Sequence, residues 1–150
     1  MTARQPLSAL LSQLLALFTA EWEREMAEAG FGDLTLATGS NVLRFLGEEG
    51  LRIGAIAQRA GVSKQAISQQ VAYLERRGYV RVEPDPHDSR AKVVSLTERG
   101  QATREVARPL FWTLEERWAE RYGAEEVARL RQALEAVVSQ LGGGLPHYPA

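Results

Sequence analysis

The sequence predicts a mainly α-helical protein with one small β-hairpin, and its 150 residues suit a single domain over 1–150. Two observations predict this fold class. Apolar residues recur at spacings of three and four along most of the chain, which is the period of an amphipathic helix. Between Tyr79 and Leu96 the pattern changes to alternation with β-branched residues, which is typical of strands. Hydrophobic residues make up 45% and charged residues 25%, as in folded globular proteins.

The first predicted element is a long helix over about residues 7–30, ended by Gly30. Its apolar stripe consists of Leu7, Leu10, Leu11, Leu14, Leu15, Phe18, Trp22 and Met26. At 1.5 Å per residue this helix is roughly 34 Å long, which is more than so small a domain covers by itself. We therefore expect a partner chain to cover part of the stripe. A second helix is predicted over Leu36–Glu49, with Val42, Leu43 and Leu46 facing inward.

Two short helices follow, Ile53–Ala60 and Lys64–Arg77, on either side of a glycine turn. Gly61 can adopt the left-handed conformation that ends the first of them, and Ser63 can cap the second. Apolar residues at i, i+4 and i+7 predict the buried side of that second helix, which consists of Ile67, Val71 and Leu74. The polar side chains left exposed on the same helix are Lys64, Gln65, Ser68, Gln69, Tyr73 and Arg76.

The hairpin is predicted from strands Tyr79–Glu83 and Lys92–Leu96, joined by a loop over Pro84–Ala91 that its prolines exclude from regular structure. Arg90 and Lys92 stand at or just past the tip of this hairpin. Asp88 can pair with Arg90 or cap the turn through the backbone. Helix, turn, helix and hairpin in this order are the layout of a winged helix-turn-helix over about residues 50–100.

Two further helices are predicted after the hairpin. One begins after the N-cap Thr97, runs to about Tyr122 and bends at Pro109, and the other covers Ala124–Leu141. The N-terminal and C-terminal helical regions are acidic and carry apolar stripes, so residues 7–30 and 101–141 are predicted to form a dimerisation region. Residues 142–150 are predicted to be a flexible tail.

The charge distribution indicates a polyanionic partner. Residues 52–100 carry a net charge of +4, whereas the rest of the chain carries −5. An α-helix fits the major groove of DNA, where Gln, Lys and Ser can contact base edges or phosphates. A long arginine on a stiff hairpin can enter a narrow minor groove. The predicted partner is therefore double-stranded DNA, contacted by Ser63, Lys64, Gln65, Ser68, Gln69, Arg76, Arg90 and Lys92.

Three stretches carry a resemblance to a known family. Ala57–Ser68 and Leu74–Val80 resemble the helix-turn-helix of the multiple-antibiotic-resistance-regulator (MarR) family, and Asp85–Gly100 resembles the wing signature of that family. One departure is Gly54, near the start of the first motif helix, where a better helix former is common.

The resemblance implies a homodimer on a pseudo-palindromic operator, usually acting as a repressor. It implies recognition contacts from Ser63–Gln69 and a minor-groove contact from Arg90, with Asp88 supporting the wing by orienting that arginine. It also implies that a small aromatic or phenolic effector is an option for releasing the DNA. The candidate pocket residues are Trp22, Phe45, Phe111, Trp112 and Trp118, although packing in the core explains these aromatic side chains better.

Other classes of protein fit the sequence less well. No nucleophile motif, phosphate-binding glycine loop or metal-ligand spacing is present, so we expect neither an enzyme nor a cofactor. The absence of Cys excludes a thiol sensor, and no apolar run is long enough to cross a membrane. The first helix lacks a signal-peptide pattern, so a cytoplasmic location is expected. A winged-helix adaptor for protein partners remains an alternative, but it would not require Arg90 and Lys92 beside a cationic helix.

Overall fold

The computed structural model describes residues 4–143. The helices are α1 Leu7–Glu28, α2 Leu36–Asn41, α3 Ile53–Ala60, α4 Lys64–Arg76, α5 Glu98–Tyr122 and α6 Ala124–Gln140, and the strands are β1 Leu51–Arg52, β2 Val80–Asp85 and β3 Asp88–Leu96. The chain divides into two compact units, one up to residue 107 and one from residue 108 onward. From residue 144 on, the predicted flexible tail lies outside the described residues.

The fold class is confirmed, because the chain is mostly helical with a small antiparallel sheet in the order β1-β3-β2. The sequence analysis did not predict β1, which pairs Leu51 with Val94 and Arg52 with Val93. A two-residue strand is too short to show alternation. Its close approach to β3 requires a glycine beside it, since a Cβ on Gly50 would lie 2.6 Å from the Val94 carbonyl oxygen.

The predicted helix over Leu36–Glu49 is wrong in length. Helix α2 ends at Asn41, and a single 3-10 turn at Leu43–Phe45 follows. Thr, Gly, Ser and Asn occupy positions 38–41, where glycine flexibility and competing side-chain hydrogen bonds weaken a helix. Val42 leaves the helical region with φ −121° and ψ −66°. It is nevertheless buried together with Leu43 and Leu46, so the predicted inward-facing residues are confirmed.

The hydrophobic core of the first unit joins the end of α1 to the winged region. Its buried residues are Trp22, Met26, Leu34, Val42, Leu43, Leu46, Ile56, Ala57, Ile67, Val71, Leu74, Tyr79, Val80 and Val94. The side chain of Glu23 on α1 also accepts a hydrogen bond from the Leu36 N–H at 3.1 Å, which satisfies the first turn of α2. The position of α1 is therefore set by both packing and a hydrogen bond.

Helix α5 begins where the sequence predicts. The Thr97 hydroxyl accepts a hydrogen bond from the Gly100 N–H at 3.1 Å and donates one to the Gly78 carbonyl, which confirms the N-cap. The helix continues through Pro109, and the bend expected there stays a prediction. Within residues 4–143, no helix combines the length and apolar character needed to cross a membrane.

Candidate nucleic-acid interface

The turn between α3 and α4 follows the local chemistry of its residues. Gly61 has φ +68°, the left-handed conformation predicted for it, and its N–H bonds the Ala57 carbonyl to close α3. The Ser63 hydroxyl accepts a hydrogen bond from the Ala66 N–H at 3.1 Å, which confirms the predicted cap of α4. This cap fixes where α4 starts and so which of its residues face outward.

The two sides of α4 differ as predicted. Ile67, Val71 and Leu74 are buried in the core. The opposite side, here called the reading face, is exposed and consists of Lys64, Gln65, Ser68, Gln69 and Arg76. A groove of duplex DNA that approached this side of α4 would therefore meet polar and cationic side chains, while the apolar side packs into the core.

Three side chains near the reading face already bond to the backbone. The Ser63 hydroxyl is used in the cap, and the Ser68 hydroxyl donates to the Lys64 carbonyl at 2.9 Å. Tyr73, predicted to be exposed, is half-buried, and its hydroxyl donates to the Asp33 carbonyl at 2.5 Å. The helical spacing placed Tyr73 on the exposed side of α4. It did not reveal the hydrogen bond to Asp33, which lies 40 residues earlier in the chain. Gln65 and Gln69 are exposed on the reading face, and their amide groups bond to no other residue within 4–143.

The predicted loop over Pro84–Ala91 is wrong, because most of it is strand. Strands β2 and β3 continue to Asp85 and Asp88 and are joined by the two-residue turn Pro86–His87. Pro84 is tolerated because β2 is an edge strand and the register shifts at Pro84/Asp85. In this hairpin, the wing, Arg90 lies in β3 rather than at the tip.

Asp85 and Arg52 organise the wing, and the sequence analysis missed both. The Asp85 carboxylate accepts the His87 N–H at 2.8 Å across the turn and forms an ion pair with Arg52 at 2.6 Å. The hydrogen bond from His87 and the one from Arg52 lower the pKa of the Asp85 carboxyl. Since Arg52 belongs to β1 and Asp85 to β2, this pair ties together the two outer strands of the sheet. The sequence pattern that could have indicated this arrangement is the pair of closely spaced acids, Asp85 and Asp88, on either side of a turn that contains proline.

Asp88 supports the wing by one of the two routes that the sequence analysis left open. Its carboxylate accepts the backbone N–H of Arg90 at 3.1 Å and so caps the turn. Within residues 4–143, the Arg90 guanidinium has no ion pair with it or with any other acid. The guanidinium of Arg90 and the ammonium of Lys92 are both exposed on β3 and are available to an anion.

The cations of the winged region fall into two groups. Arg52, Arg77, Arg81 and Arg99 pair with Asp85, Asp33, Glu83 and Asp33, respectively. The second group, here called the free cations, is exposed and has no ion pair within residues 4–143. Its members are Arg59, Lys64, Arg76, Arg90 and Lys92. Four of these five were predicted DNA contacts, and Arg59 on α3 is an addition from the structure.

The predicted effector-pocket residues have different surroundings. Trp22 is 1% exposed and packs toward α2, where a Cβ on Gly39 would lie 3.7 Å from its ring. Phe45 is half-buried, with the Arg44 guanidinium 4.4 Å from its ring centroid. Both belong to the first unit, whereas Phe111 and Trp112 belong to the second.

Trp112 is 38% exposed, and the Arg131 guanidinium lies 5.7 Å from its ring centroid. A shared pocket of these aromatic side chains stays a prediction. A separate surface cleft of about 260 Å³ in the first unit contains none of them; its lining residues are Gly47, Glu48, Arg81, Leu96, Thr97, Glu98 and Gln101. Among the residues that the structure describes, no cluster of three or more His, Cys, Asp or Glu could hold a metal ion.

Comparison with known proteins gives consistent matches to one group of regulators. The family model described as MarR family matches residues 33–91. The transcriptional regulator HosA of Escherichia coli O111:H- is 30% identical over 116 residues, which cover 77% of this chain and 82% of that protein. A crystal structure of MarR is 27% identical, with a TM-score of 0.66 and 94% of both chains covered. The crystal structure of an S. aureus MepR-DNA complex is 21% identical, with a TM-score of 0.72 and coverage of 92% and 99%.

Proposed function

Because this chain belongs to the MarR family of transcriptional regulators, which are not enzymes, we propose that it binds a specific double-stranded DNA operator through α4 and the wing. The observation that carries the proposal is the coincidence of three features on one fold: the exposed reading face, the exposed Arg90 on a paired hairpin, and the free cations. The MepR-DNA complex, which has the same fold, supports a DNA partner.

The reading face contacts the major groove in this proposal, with Gln65 and Gln69 bonding base edges and Lys64 and Arg76 contacting phosphates. Arg90 enters the adjacent minor groove, where the electrostatic potential is most negative when the groove is narrow. Asp88 and Asp85 hold the turn that precedes it. The wing therefore presents its arginine from a hydrogen-bonded frame instead of a loose loop.

The operator-bound form is a homodimer. In the first unit, five leucines of α1 remain between 39% and 65% exposed: Leu7, Leu10, Leu11, Leu15 and Leu17. An apolar row of this length on one helix is typical of a surface that another chain covers. Helix α6 has no buried residue and separately exposes Leu130, Val137 and Val138. A two-fold dimer places its recognition helices about 34 Å apart, one turn of duplex, and so predicts a pseudo-palindromic operator.

Such a dimer acts as a repressor when it occupies the duplex at a promoter. Because its target is chromosomal DNA, the protein is located in the cytoplasm. A small aromatic or phenolic effector releases the DNA by favouring a dimer whose recognition helices are misplaced. The loss of operator affinity is at most the ratio of the effector's affinities for the two forms. Of the predicted pocket residues, Trp22 is buried, whereas Phe45 in the first unit and Phe111 and Trp112 in the second are incompletely buried.

The test is selection of bound duplexes from a random pool, followed by sequencing and by light scattering of the protein alone and in complex. We expect an enriched motif with two-fold symmetry, half-sites about ten base pairs apart, and two chains per duplex. Gln65→Ala should cost about 1–3 kcal/mol on the selected duplex and alter the motif at one position in each half-site. A pool that yields no motif, together with binding that salt does not weaken, would refute the proposal and favour a protein adaptor.

A further inference from the structure

Asp33 lies in the short connection between α1 and α2, where four side chains from later parts of the chain converge on it. Its carboxylate accepts hydrogen bonds from the Tyr79 hydroxyl and, at 3.3 Å, from the Arg99 guanidinium. The Arg77 guanidinium lies 3.8 Å from the other carboxylate oxygen. The backbone carbonyl of Asp33 accepts the Tyr73 hydroxyl at 2.5 Å. We call these five residues the Asp33 clamp.

Aromatic rings lie against one side of the clamp, which is only partly buried, since the Asp33 side chain is 24% exposed and that of Arg99 is 43% exposed. Tyr79 is fully buried, and the Arg99 guanidinium lies 4.6 Å from the centroid of its ring and 5.6 Å from that of Phe31. The Arg77 guanidinium lies 5.4 Å from the Tyr73 ring centroid. Because Tyr79 is fully buried, loss of its hydrogen bond to Asp33 would leave an unpaired hydroxyl away from water, which is costly.

The ionisation behaviour of the clamp agrees with this geometry. Burial raises the pKa of Asp33, but the hydrogen bond from Tyr79 and the two arginines outweigh it, so the net pKa lies below the usual value. Burial, followed by the hydrogen bond to Asp33, raises the pKa of Tyr79 to about 12. The carboxylate is therefore ionised and the phenol protonated throughout the neutral range, and the clamp stays intact there.

The clamp holds α4 at one end only. Tyr73 lies in the last turn of α4 and Arg77 directly follows the helix, whereas Gln65 is eight residues before Tyr73, or about 12 Å along the axis. A tilt of about 10° at the clamped end would therefore move Gln65 by roughly 2 Å. Hydrogen bonds to base edges do not survive such a displacement, because their donor–acceptor distances vary by only about 0.5 Å.

The other side of the clamp is fixed to α1. The Phe31 N–H bonds the Met26 carbonyl at 2.8 Å, and the Leu34 N–H bonds the Phe31 carbonyl at 3.0 Å, so the segment containing Asp33 follows the end of α1. Met26 is itself buried. Asp33 thus connects the helix that carries the exposed leucines to the helix that carries the reading face.

We propose that Asp33 is a positioning residue for base recognition, which sets the angle of α4 and transmits the position of α1 to the reading face. The inference rests on the proposed DNA-binding function. It assigns Asp33 no contact with DNA. Loss of the clamp therefore weakens the recognition of sequence and leaves the attraction of the free cations to phosphates unchanged.

The test measures binding of wild-type protein, Asp33→Asn and the control Glu28→Gln to the selected duplex and to a scrambled duplex of equal length. Glu28 is exposed at the end of α1 and lies outside the clamp, so the control removes the same charge. Circular dichroism sets a temperature at which all three are folded. We expect Asp33→Asn to lose at least about tenfold in affinity for the selected duplex and less than twofold for the scrambled one. The control should match the wild type on both.

Two further variants separate positioning from general stability. Tyr79→Phe should reduce the same discrimination, and the double variant with Asp33→Asn should be no worse than the stronger single variant, because both changes break one contact. Retained discrimination in a folded Asp33→Asn protein overturns the inference, and so does an equal loss on both duplexes. A wild-type protein that prefers no duplex overturns the proposed function itself.

Discussion

Arg90→Ala removes one of the five free cations from each chain, and its effect on salt dependence follows from that number. A dimer presents about ten such cations, and if all neutralise phosphates the slope of log affinity against log salt is about −9. Removing two of them changes the slope to about −7. When the salt concentration rises from 50 to 200 mM, the affinity of the wild type then falls about 10⁵-fold and that of the variant about 10⁴-fold.

The assay is fluorescence anisotropy of the labelled selected duplex at five or six salt concentrations. The matched control is Arg129→Ala, which removes the same charge from α6, where Arg129 is paired with Glu126 at 2.9 Å. The control should keep the wild-type slope. If Arg90→Ala kept the wild-type slope as well, or if both variants lowered it equally, Arg90 would not neutralise DNA charge in the complex and the minor-groove assignment would be wrong.

The remaining predictions concern assembly, packing and pH. Leu15→Glu should raise the dimer dissociation constant about 100-fold, because each chain loses roughly 1.5 kcal/mol of apolar burial, whereas Ala16→Glu, exposed on the opposite side of α1, should leave the mass measured by light scattering unchanged. Gly100→Ala should lower the free energy of unfolding in urea by about 1–3 kcal/mol, because its Cβ would overlap the Tyr79 carbonyl oxygen, whereas Gly47→Ala has open space and should change it by less than about 0.5 kcal/mol. Since the pKa of Tyr79 is raised from 10.0 to about 12, its stabilising effect is complete below pH 10 and is lost between pH 10 and 12. Between pH 8 and pH 11 the wild type should therefore lose about 1 kcal/mol more unfolding free energy than Tyr79→Phe, and an equal loss would contradict the assigned hydrogen bond.

The reading face could be predicted because each of its determinants is local. The Ser63 cap, the left-handed Gly61 and the spacing of the buried residues on α4 act within a few residues of chain. Once the start and the apolar side of a helix are known, its polar side follows from the helical period. The exposed apolar stripe of α1 could also be predicted from a local pattern, namely the helical spacing of its apolar residues. The stripe is longer than one small unit can cover, which predicts that part of it stays exposed.

The hairpin loop and the second helix were wrong because neighbouring elements decided both. Pro84 excludes a central strand, but it lies on an edge strand at a register shift, and no local pattern in the sequence shows which strand lies at the edge. The polar residues at the end of α2 weaken a helix without specifying where it stops, and Val42 leaves the helical conformation while remaining buried in the core.

The sequence by itself determined the elements whose signals repeat within one or two helical turns, namely the turn between α3 and α4, the exposed side of α4 and the sign of the charge around it. Tertiary structure alone decided the partners of Asp33 and of Asp85, which lie 40 or more and 33 residues apart along the chain, respectively. The physical reason is that a carboxylate carries no local preference for one arginine or tyrosine over another. Its partner is decided by which backbone segments the packed core brings within hydrogen-bond distance.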